Sequence, residues 1–211
     1  MQSNRRHFVQ TVSGGIALSA LGSRLLSAPA QENKPRIKVG QIGTSHAHAS
    51  KLAVYRQSPD YEVVGIVEPD AERRKLAESQ ATYRDLNWLT AEQLLNVPGL
   101  QAVLVETEVR DLLSTAETCV AAGKHVHIDK PAGESLPHFA RILDLATKQN
   151  LLVQMGYMFR YNPGVVLLRE FLKHGWLGEI FEVHTVMSKV VDPVSRRGLA
   201  EYPGGIMFEL G

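Results

Sequence analysis

Short apolar runs alternate with amphipathic stretches over residues 36–155. The runs are rich in Val, Ile and Leu, which is typical of strands buried in a parallel sheet. They predict strands at residues 37–42, 61–67, 101–105, 125–128 and 151–155, with a short additional strand at Tyr83. The stretches between them predict helices at residues 46–57, 70–80, 91–96, 111–122 and 135–149. Strands and helices in this order form right-handed βαβ units, so we expect an α/β fold with a doubly wound parallel sheet.

The pattern changes after Gly156, where a longer helix is predicted at residues 163–174. Residues 179–191 then alternate between apolar and polar positions, which predicts a half-buried strand of a second, antiparallel sheet. One strand cannot bury its apolar face or pair its backbone alone. We therefore expect residues 156–211 to be the incomplete start of an α+β substrate or oligomerisation domain, and the chain to be a fragment of a longer product.

The first residues have the pattern of an export signal. Residues 1–10 contain Arg5 and Arg6 and no acid, a weakly apolar run follows, and residues 28–30 give the small-x-small pattern of a cleavage site. The segment NRRHFV resembles the twin-arginine signature. We expect a signal peptide at residues 1–30, a linker at 31–35 and a periplasmic protein without a membrane span after processing. The alternative is a disordered basic tail.

Composition narrows the function classes further. The 211 residues include 23 Lys and Arg against 22 Asp and Glu, so the chain lacks the basic excess of a nucleic-acid-binding protein. Cys119 is the one cysteine of the sequence, which excludes an internal disulfide and any multi-cysteine metal site.

The turn after the first predicted strand is a candidate cofactor site. Residues 43–48 read GTSHAH, where dinucleotide-binding folds carry G-x-G-x-x-G. Glycine there permits a tight turn and lets backbone N–H groups approach pyrophosphate. One glycine is kept, and His48 stands where Gly or Ala is usual. The turn residues predicted to contact the cofactor are Gly43, Thr44, Ser45 and His46.

Glu68 ends the second predicted strand, near the spacing expected of the carboxylate that holds the adenosine ribose. Such a carboxylate accepts hydrogen bonds from ribose hydroxyls and repels a 2′-phosphate, which favours NAD over NADP. Arg73 and Arg74 follow closely and keep NADP possible. The alternative is that Glu68 caps the helix after Pro69.

Several segments match the motifs of one family. Residues 122–131 read AGKHVHIDKP, against A-G-K-H-V-x-x-E-K-P, and residues 156–163 read GYMFRYNP, against G-F-x-x-R-F-N-P. Residues 175–180 match G-x-L-G-E-I, and residues 203–211 resemble G-G-x-x-x-D-L-G. Over about residues 36–211 the chain resembles the Gfo/Idh/MocA family, the glucose-fructose oxidoreductase and inositol dehydrogenase type.

The resemblance implies a Rossmann-type NAD(P)-binding domain at residues 36–155 and a catalytic Lys130 beside the nicotinamide and the substrate hydroxyl. An ammonium there stabilises negative charge on the carbinol oxygen as hydride leaves. Pro131 would fix the backbone after Lys130, and Asp129, in place of the family Glu, would lie near the nicotinamide ribose. Tyr157 and Arg160 would line a sugar pocket.

Two departures from the family pattern affect the expected site. Residues 106–108 read ETE where a T-P-N-like segment usually lies along the cofactor. Thr107 remains a candidate contact, whereas Glu106 and Glu108 could discourage pyrophosphate binding or reshape the pocket. The family's acid/base His normally follows the D-L-G-type segment, at which this chain ends, so Lys130 alone would lack its usual partner base.

The predicted function is that of an NAD(P)-dependent oxidoreductase acting on a sugar or polyol, a homo-oligomer when complete. The alternatives are an NAD-dependent glycosidase of the same family and a non-catalytic relative that binds a sugar or a partner. The spacings His46-x-His48 and His125-x-His127 could serve a metal. No cluster of acidic ligands accompanies them at a recognisable spacing, so we expect no metal.

Overall fold

A five-stranded parallel sheet forms the centre of the computed structural model, which describes residues 34–210. The strands are β1 (Ile37–Ile42), β2 (Tyr61–Val67), β3 (Leu100–Val105), β4 (His125–Ile128) and β5 (Val153–Met155), in the order β2-β1-β3-β4-β5. Every neighbouring pair is parallel, which confirms the predicted doubly wound sheet. The predicted signal peptide lies outside the described residues.

Helices connect the strands and continue beyond them. They are α1 (Leu52–Gln57), α2 (Ala71–Glu78), α3 (Ala91–Leu95), α4 (Val109–Ala121), α5 (Leu136–Lys148), α6 (Pro163–Lys173), α7 (Pro193–Leu199) and α8 (Ile206–Leu210), with 3-10 turns at Ala49–Lys51 and Met158–Tyr161. Thr90 and Gln93 form a capping box that starts α3. Gly123 takes a φ of 74° just after α4, as expected of a glycine that ends a helix. None of these helices is long and apolar enough to cross a membrane.

Apolar side chains pack against both faces of the sheet. On one face, α4 and α5 contribute Leu112, Ala116 and Ile142 to a core that includes Val103 and Val126. The other face holds a smaller core of Leu52, Ile66, Ala77, Tyr83 and Leu104. Each fully buried aliphatic side chain contributes about 1.5–3 kcal/mol. The two cores hold the carboxyl ends of the strands, which carry the candidate site, in a rigid frame.

The strand predicted at Tyr83 is wrong. The segment forms turns, and its pairing with β2 is a single bridge between Ile66 and Trp88. Tyr83 is 2% exposed and belongs to the smaller core. Its aromatic character therefore reflects burial of the side chain, while its backbone stays outside the sheet.

The helix predicted at residues 46–57 begins later than expected. A 3-10 turn starts at Ala49, and α1 itself starts at Leu52. The preceding backbone has other partners: His46 N–H donates to the carbonyl of Glu106 at 3.1 Å, and His48 N–H donates to His46 Nδ1 at 3.2 Å. The first bond holds the loop against the end of β3, and the second lies within the loop. Because these N–H groups are bonded in this way, the helix begins only after residue 48.

The strand predicted at residues 179–191 does not form in the described chain. A strand needs a neighbouring backbone to pair with, and none lies beside this segment among residues 34–210. Its apolar side chains are accordingly exposed, with Phe181 94% and Val190 100% accessible. The preceding helix α6 likewise buries no residue.

Candidate active site

The carboxyl ends of the strands open onto a crevice where the strand order reverses. After β1 the chain passes to β2 on one side, while β3 lies on the other, and ligands of open α/β sheets bind at such a point. A cavity of about 610 Å³ lies here, with apolar walls that include Ile42, Val67 and Trp88. Glu68 and Thr107, two of the predicted cofactor contacts, also line it.

Gly43 is required by the packing of the turn. Its φ is 91°, a region that side chains rarely adopt, and a Cβ there would lie 2.6 Å from the backbone carbonyl of Glu106. Gly43 N–H donates to the carbonyl of Val67 at 2.8 Å. The glycine therefore lets the turn pass between the ends of β2 and β3.

Glu68 joins this turn to the start of α2. Its Oε2 accepts hydrogen bonds from Thr44 N–H at 2.9 Å and Thr44 Oγ1–H at 2.7 Å, while Oε1 accepts from Asp70 N–H at 3.1 Å. The cap of α2 is Asp70, whose side chain accepts from Arg73 N–H. A carboxylate has about four acceptor positions. Three of these positions are occupied, so Glu68 keeps one acceptor position, on Oε1, for a ribose hydroxyl. The sequence-based expectation was that the carboxylate accepts from more than one ribose hydroxyl.

The turn also carries backbone donors that suit pyrophosphate. Ser45 and Ala47 are exposed, and their N–H groups have no acceptor among the described residues. Exposed N–H donors on a turn that is bonded to the carboxylate of Glu68, which lines the crevice, fit a dinucleotide. The residues that would hold NAD(P) are Thr44, Ser45, Ala47, Glu68 and Thr107.

A buried ion cluster lies beside the crevice at the ends of β3 and β4. Lys51 Nζ donates to Asp129 Oδ2, forms an ion pair with Glu106 Oε1 at 2.7 Å and lies 2.9 Å from His127 Nε2. The ammonium thus faces all three of these side chains. The carboxylates are 0% and 1% exposed, so Lys51 supplies the positive charge that lets them stay inside. Glu106 therefore points into the protein and does not line the crevice.

Sequence reasoning missed Lys51, although one signal was present. His48 and Lys51 are three residues apart, a spacing that places side chains on one side of a helix. The sequence does not show that Glu106, after β3, and Asp129, after β4, both contact Lys51.

The same cluster holds the backbone of Lys130. Asp129 Oδ1 accepts from Lys130 N–H at 2.7 Å, and His46 Nε2 donates to the carbonyl of Lys130 at 3.0 Å. His48 Nδ1 lies 3.0 Å from the same Asp129 oxygen. The peptide bond between Lys130 and Pro131 is cis. The residue predicted to be catalytic is thus fixed at both of its backbone polar groups.

Burial and Lys51 set the ionisation of the cluster. Burial raises the pKa of Glu106 to about 7, against the opposing effect of Lys51. Burial also disfavours the Asp129 anion, but hydrogen bonds from Lys51 and His48 outweigh it and lower the pKa of Asp129 to about 2. Burial, aided by Lys51, lowers the pKa of His127 to about 4, and burial lowers that of His46. The pKa of Glu106 thus lies near neutral pH.

We expect Glu106 to make stability depend on pH. Because its pKa is raised from 4.5 in the unfolded chain to about 7 in the folded protein, the folded state holds the proton more tightly between these values. The free energy of unfolding therefore falls as pH rises through this window, by at most about 1.4 kcal/mol per pH unit. Glu106→Gln removes this contribution. Urea unfolding of both proteins from about pH 5 to about pH 8 measures it, and parallel curves would contradict it.

Tyr157 and Arg160 lie at a second cavity, of about 930 Å³, beside β5. His48, Lys51 and Asp129 line the same cavity, so the structure brings the predicted sugar contacts to the ion cluster. Lys130 does not line this cavity. Its backbone N–H donates to Asp129, which does line the cavity.

The structure also surrounds the histidine pairs with acids that their spacing did not reveal. Asp129 lies with His46 and His48 in one group, and with Glu106 and His127 in another, and the potential ligand atoms within each group lie within 4.8 Å of one another. The Lys51 ammonium lies among the second group. That the site needs no metal stays a prediction.

Comparison with known proteins gives a consistent result. The Gfo/Idh/MocA family model, described as an oxidoreductase family with an NAD-binding Rossmann fold, matches residues 37–157. The chain is 28% identical over 152 residues to inositol 2-dehydrogenase 1 of Saccharopolyspora erythraea, covering 71% of this chain and 45% of that protein. It is 23% identical over 190 residues to a dTDP-3,4-didehydro-2,6-dideoxy-alpha-D-glucose 3-reductase of Streptomyces violaceoruber, covering 88% of this chain and 54% of that protein.

Among solved structures, the fold is similar to that of KijD10, a 3-ketoreductase from Actinomadura kijaniata in complex with TDP-benzene and NADP. The TM-score is 0.57 at 24% identity, over 67% of this chain and 44% of that one. The chain spans about half the length of the curated relatives it matches.

Proposed function

Because the chain belongs to the Gfo/Idh/MocA family of oxidoreductases with an NAD-binding Rossmann fold, we propose that the whole protein transfers hydride between a sugar or polyol carbinol and NAD(P). The relatives include proteins named as an inositol 2-dehydrogenase and a 3-reductase of a dTDP-linked deoxyglucose, which supports this substrate class. The observation that carries the proposal is the fixed backbone of Lys130 at the end of β4, next to the crevice at the switch point.

Each part of the crevice has a role in this reaction. Ser45 and Ala47 would bind the dinucleotide through the N–H groups of the turn, and Glu68, which Thr44 holds in place, would orient its adenosine ribose. The bound nicotinamide supplies the hydride chemistry. The Lys130 ammonium would donate a hydrogen bond to the carbinol oxygen and stabilise the negative charge that develops there, while the hydroxyl proton would pass to the acid/base His that the family resemblance leads us to propose for the whole protein. Asp129 and His46 keep Lys130 in place through its backbone.

The role of Glu68 is tested by cofactor affinity. We expect Glu68→Ala to weaken NAD binding by about tenfold, since a hydrogen bond to a charged group contributes about 1.5–3 kcal/mol. NADP binding should weaken less, because the carboxylate opposes the 2′-phosphate. Isothermal titration with each cofactor measures both losses.

Two further variants serve as controls for the effect of Glu68→Ala on cofactor affinity. Glu72→Ala removes an exposed acid from the first turn of α2 and should leave both affinities unchanged. Glu68→Gln keeps an acceptor oxygen for Thr44 and separates a loss of ribose binding from a disrupted turn. Equal losses for the two cofactors would remove Glu68 from the ribose site.

We also propose, from the sequence pattern of residues 1–30, that the protein is exported through the twin-arginine route to the periplasm. The complete protein is proposed to be a homo-oligomer. N-terminal sequencing of the protein from a periplasmic fraction tests the export proposal, and an unprocessed N-terminus there would refute it.

A further inference from the structure

The rim of the crevice carries a second acid that the proposed reaction does not use. Glu108 stands at the N-cap position of α4, yet its side chain makes no capping hydrogen bond to that helix. Its Oε1 instead pairs with a guanidinium nitrogen of Arg73, which lies on α2 across the crevice. The pair thus connects the segments that follow β2 and β3, with Thr107 of the crevice lining beside it.

Arg73 lies close to the expected ribose position. Its Nε is 3.8 Å from Glu68 Oε1, and another guanidinium nitrogen is 3.6 Å from Asp70 Oδ2. Arg73 Nε is buried and has no hydrogen-bond partner among the described residues. One guanidinium therefore faces three carboxylates, so this end of the crevice is negatively charged where a 2′-phosphate would enter.

The neighbouring arginine is held in a different way. Arg74 lines the cavity, stacks 5.2 Å over the Trp88 ring and pairs with Glu78 at 2.9 Å. Arg74 is thus held by an aromatic ring as well as by an acid, whereas Arg73 is the arginine beside Glu68.

We propose that Glu108 selects NAD over NADP by holding Arg73 away from the 2′ position of the ribose. The inference rests on the proposed function, because it requires a dinucleotide in the crevice. A free Arg73 would be close enough to pair with a 2′-phosphate, and Arg is well suited to phosphate because it offers several N–H donors in a planar fork. In the native protein that phosphate would have to compete with Glu108 and would add negative charge beside Glu68 and Asp70.

The test compares NADH and NADPH binding by fluorescence titration of the chain. In Glu108→Gln, we expect the affinity for NADPH relative to NADH to rise about 5- to 10-fold over the wild-type ratio, with exposed charges limiting the gain. The gain should vanish when Arg73→Met is added, because the proposal assigns it to that guanidinium. It should also shrink at high salt.

Glu78→Gln is the matched control, since it releases Arg74 in the same manner. We expect it to leave the ratio unchanged, and a rise in this variant equal to that of Glu108→Gln would overturn the proposal. A gain that survives Arg73→Met would also overturn it, because it would reflect only the loss of a negative charge. Wild-type binding of NADH with an unchanged ratio in Glu108→Gln would refute this inference and leave the proposed function intact. Absence of binding of either nucleotide would refute both.

Discussion

Replacing Lys51 by Met is expected to lower the free energy of unfolding by about 3–5 kcal/mol at neutral pH, because removal of one partner leaves buried charge uncompensated. Asp129 and Glu106 are 1% and 0% exposed and would lose their common cation. Met keeps most of the apolar length of the lysine, so the lost stability would come from the missing positive charge and not from a cavity. Urea unfolding followed by circular dichroism measures it.

A second substitution shows whether the ion cluster is the cause. Adding Asp129→Asn to Lys51→Met removes the buried acid whose low pKa, about 2, keeps it ionised at neutral pH, so the double variant should regain part of the lost stability. Lys75→Met, at an exposed position of α2, should change stability by less than about 0.5 kcal/mol. If Lys51→Met were as mild as Lys75→Met, the ammonium would not support the buried acids.

In the whole protein, replacing Lys130 by Met is expected to lower turnover of the proposed reaction by about 100- to 1000-fold, the usual loss when one donor to a developing oxyanion is removed. The affinity for NAD should stay within about twofold, since the proposed role of Lys130 concerns the carbinol oxygen. NADH formation with a panel of myo-inositol and free hexoses measures turnover. Isothermal titration measures the affinity separately.

The control for this experiment is Lys148→Met, which removes an exposed lysine at the end of α5. It should leave both turnover and NAD affinity unchanged. Turnover of Lys130→Met equal to that of Lys148→Met would exclude Lys130 from the reaction. A parallel loss of turnover and NAD affinity would instead assign Lys130 to cofactor binding.

The sheet could be predicted from sequence because each strand is a local apolar run. All five strands lie within two residues of their predicted bounds, from Ile37–Ile42 to Val153–Met155. The two false strands fail for opposite reasons. Tyr83 is apolar because its side chain is buried beside the sheet, and residues 179–191 have no strand to pair with in the described chain.

The site was less predictable because its contacts join distant parts of the chain. Lys51 meets His127 and Asp129 across 76 and 78 residues, and no local spacing encodes such a meeting. From the sequence, the two acids around Thr107 could discourage pyrophosphate binding or reshape the pocket. In the structure Glu106 turns inward to Lys51 and Glu108 pairs with Arg73, so neither carboxylate lines the cavity at the switch point.

Gly43 has a consequence for how such domains are detected. It is the single glycine left of the expected fingerprint, and the atoms that forbid a larger residue there belong to the protein's own β3 end. A search that scores nucleotide-binding turns by counting glycines would therefore rank this chain low. A pattern that asked for one glycine between strand ends, with a carboxylate closing the second strand, would recover divergent domains that the glycine count discards.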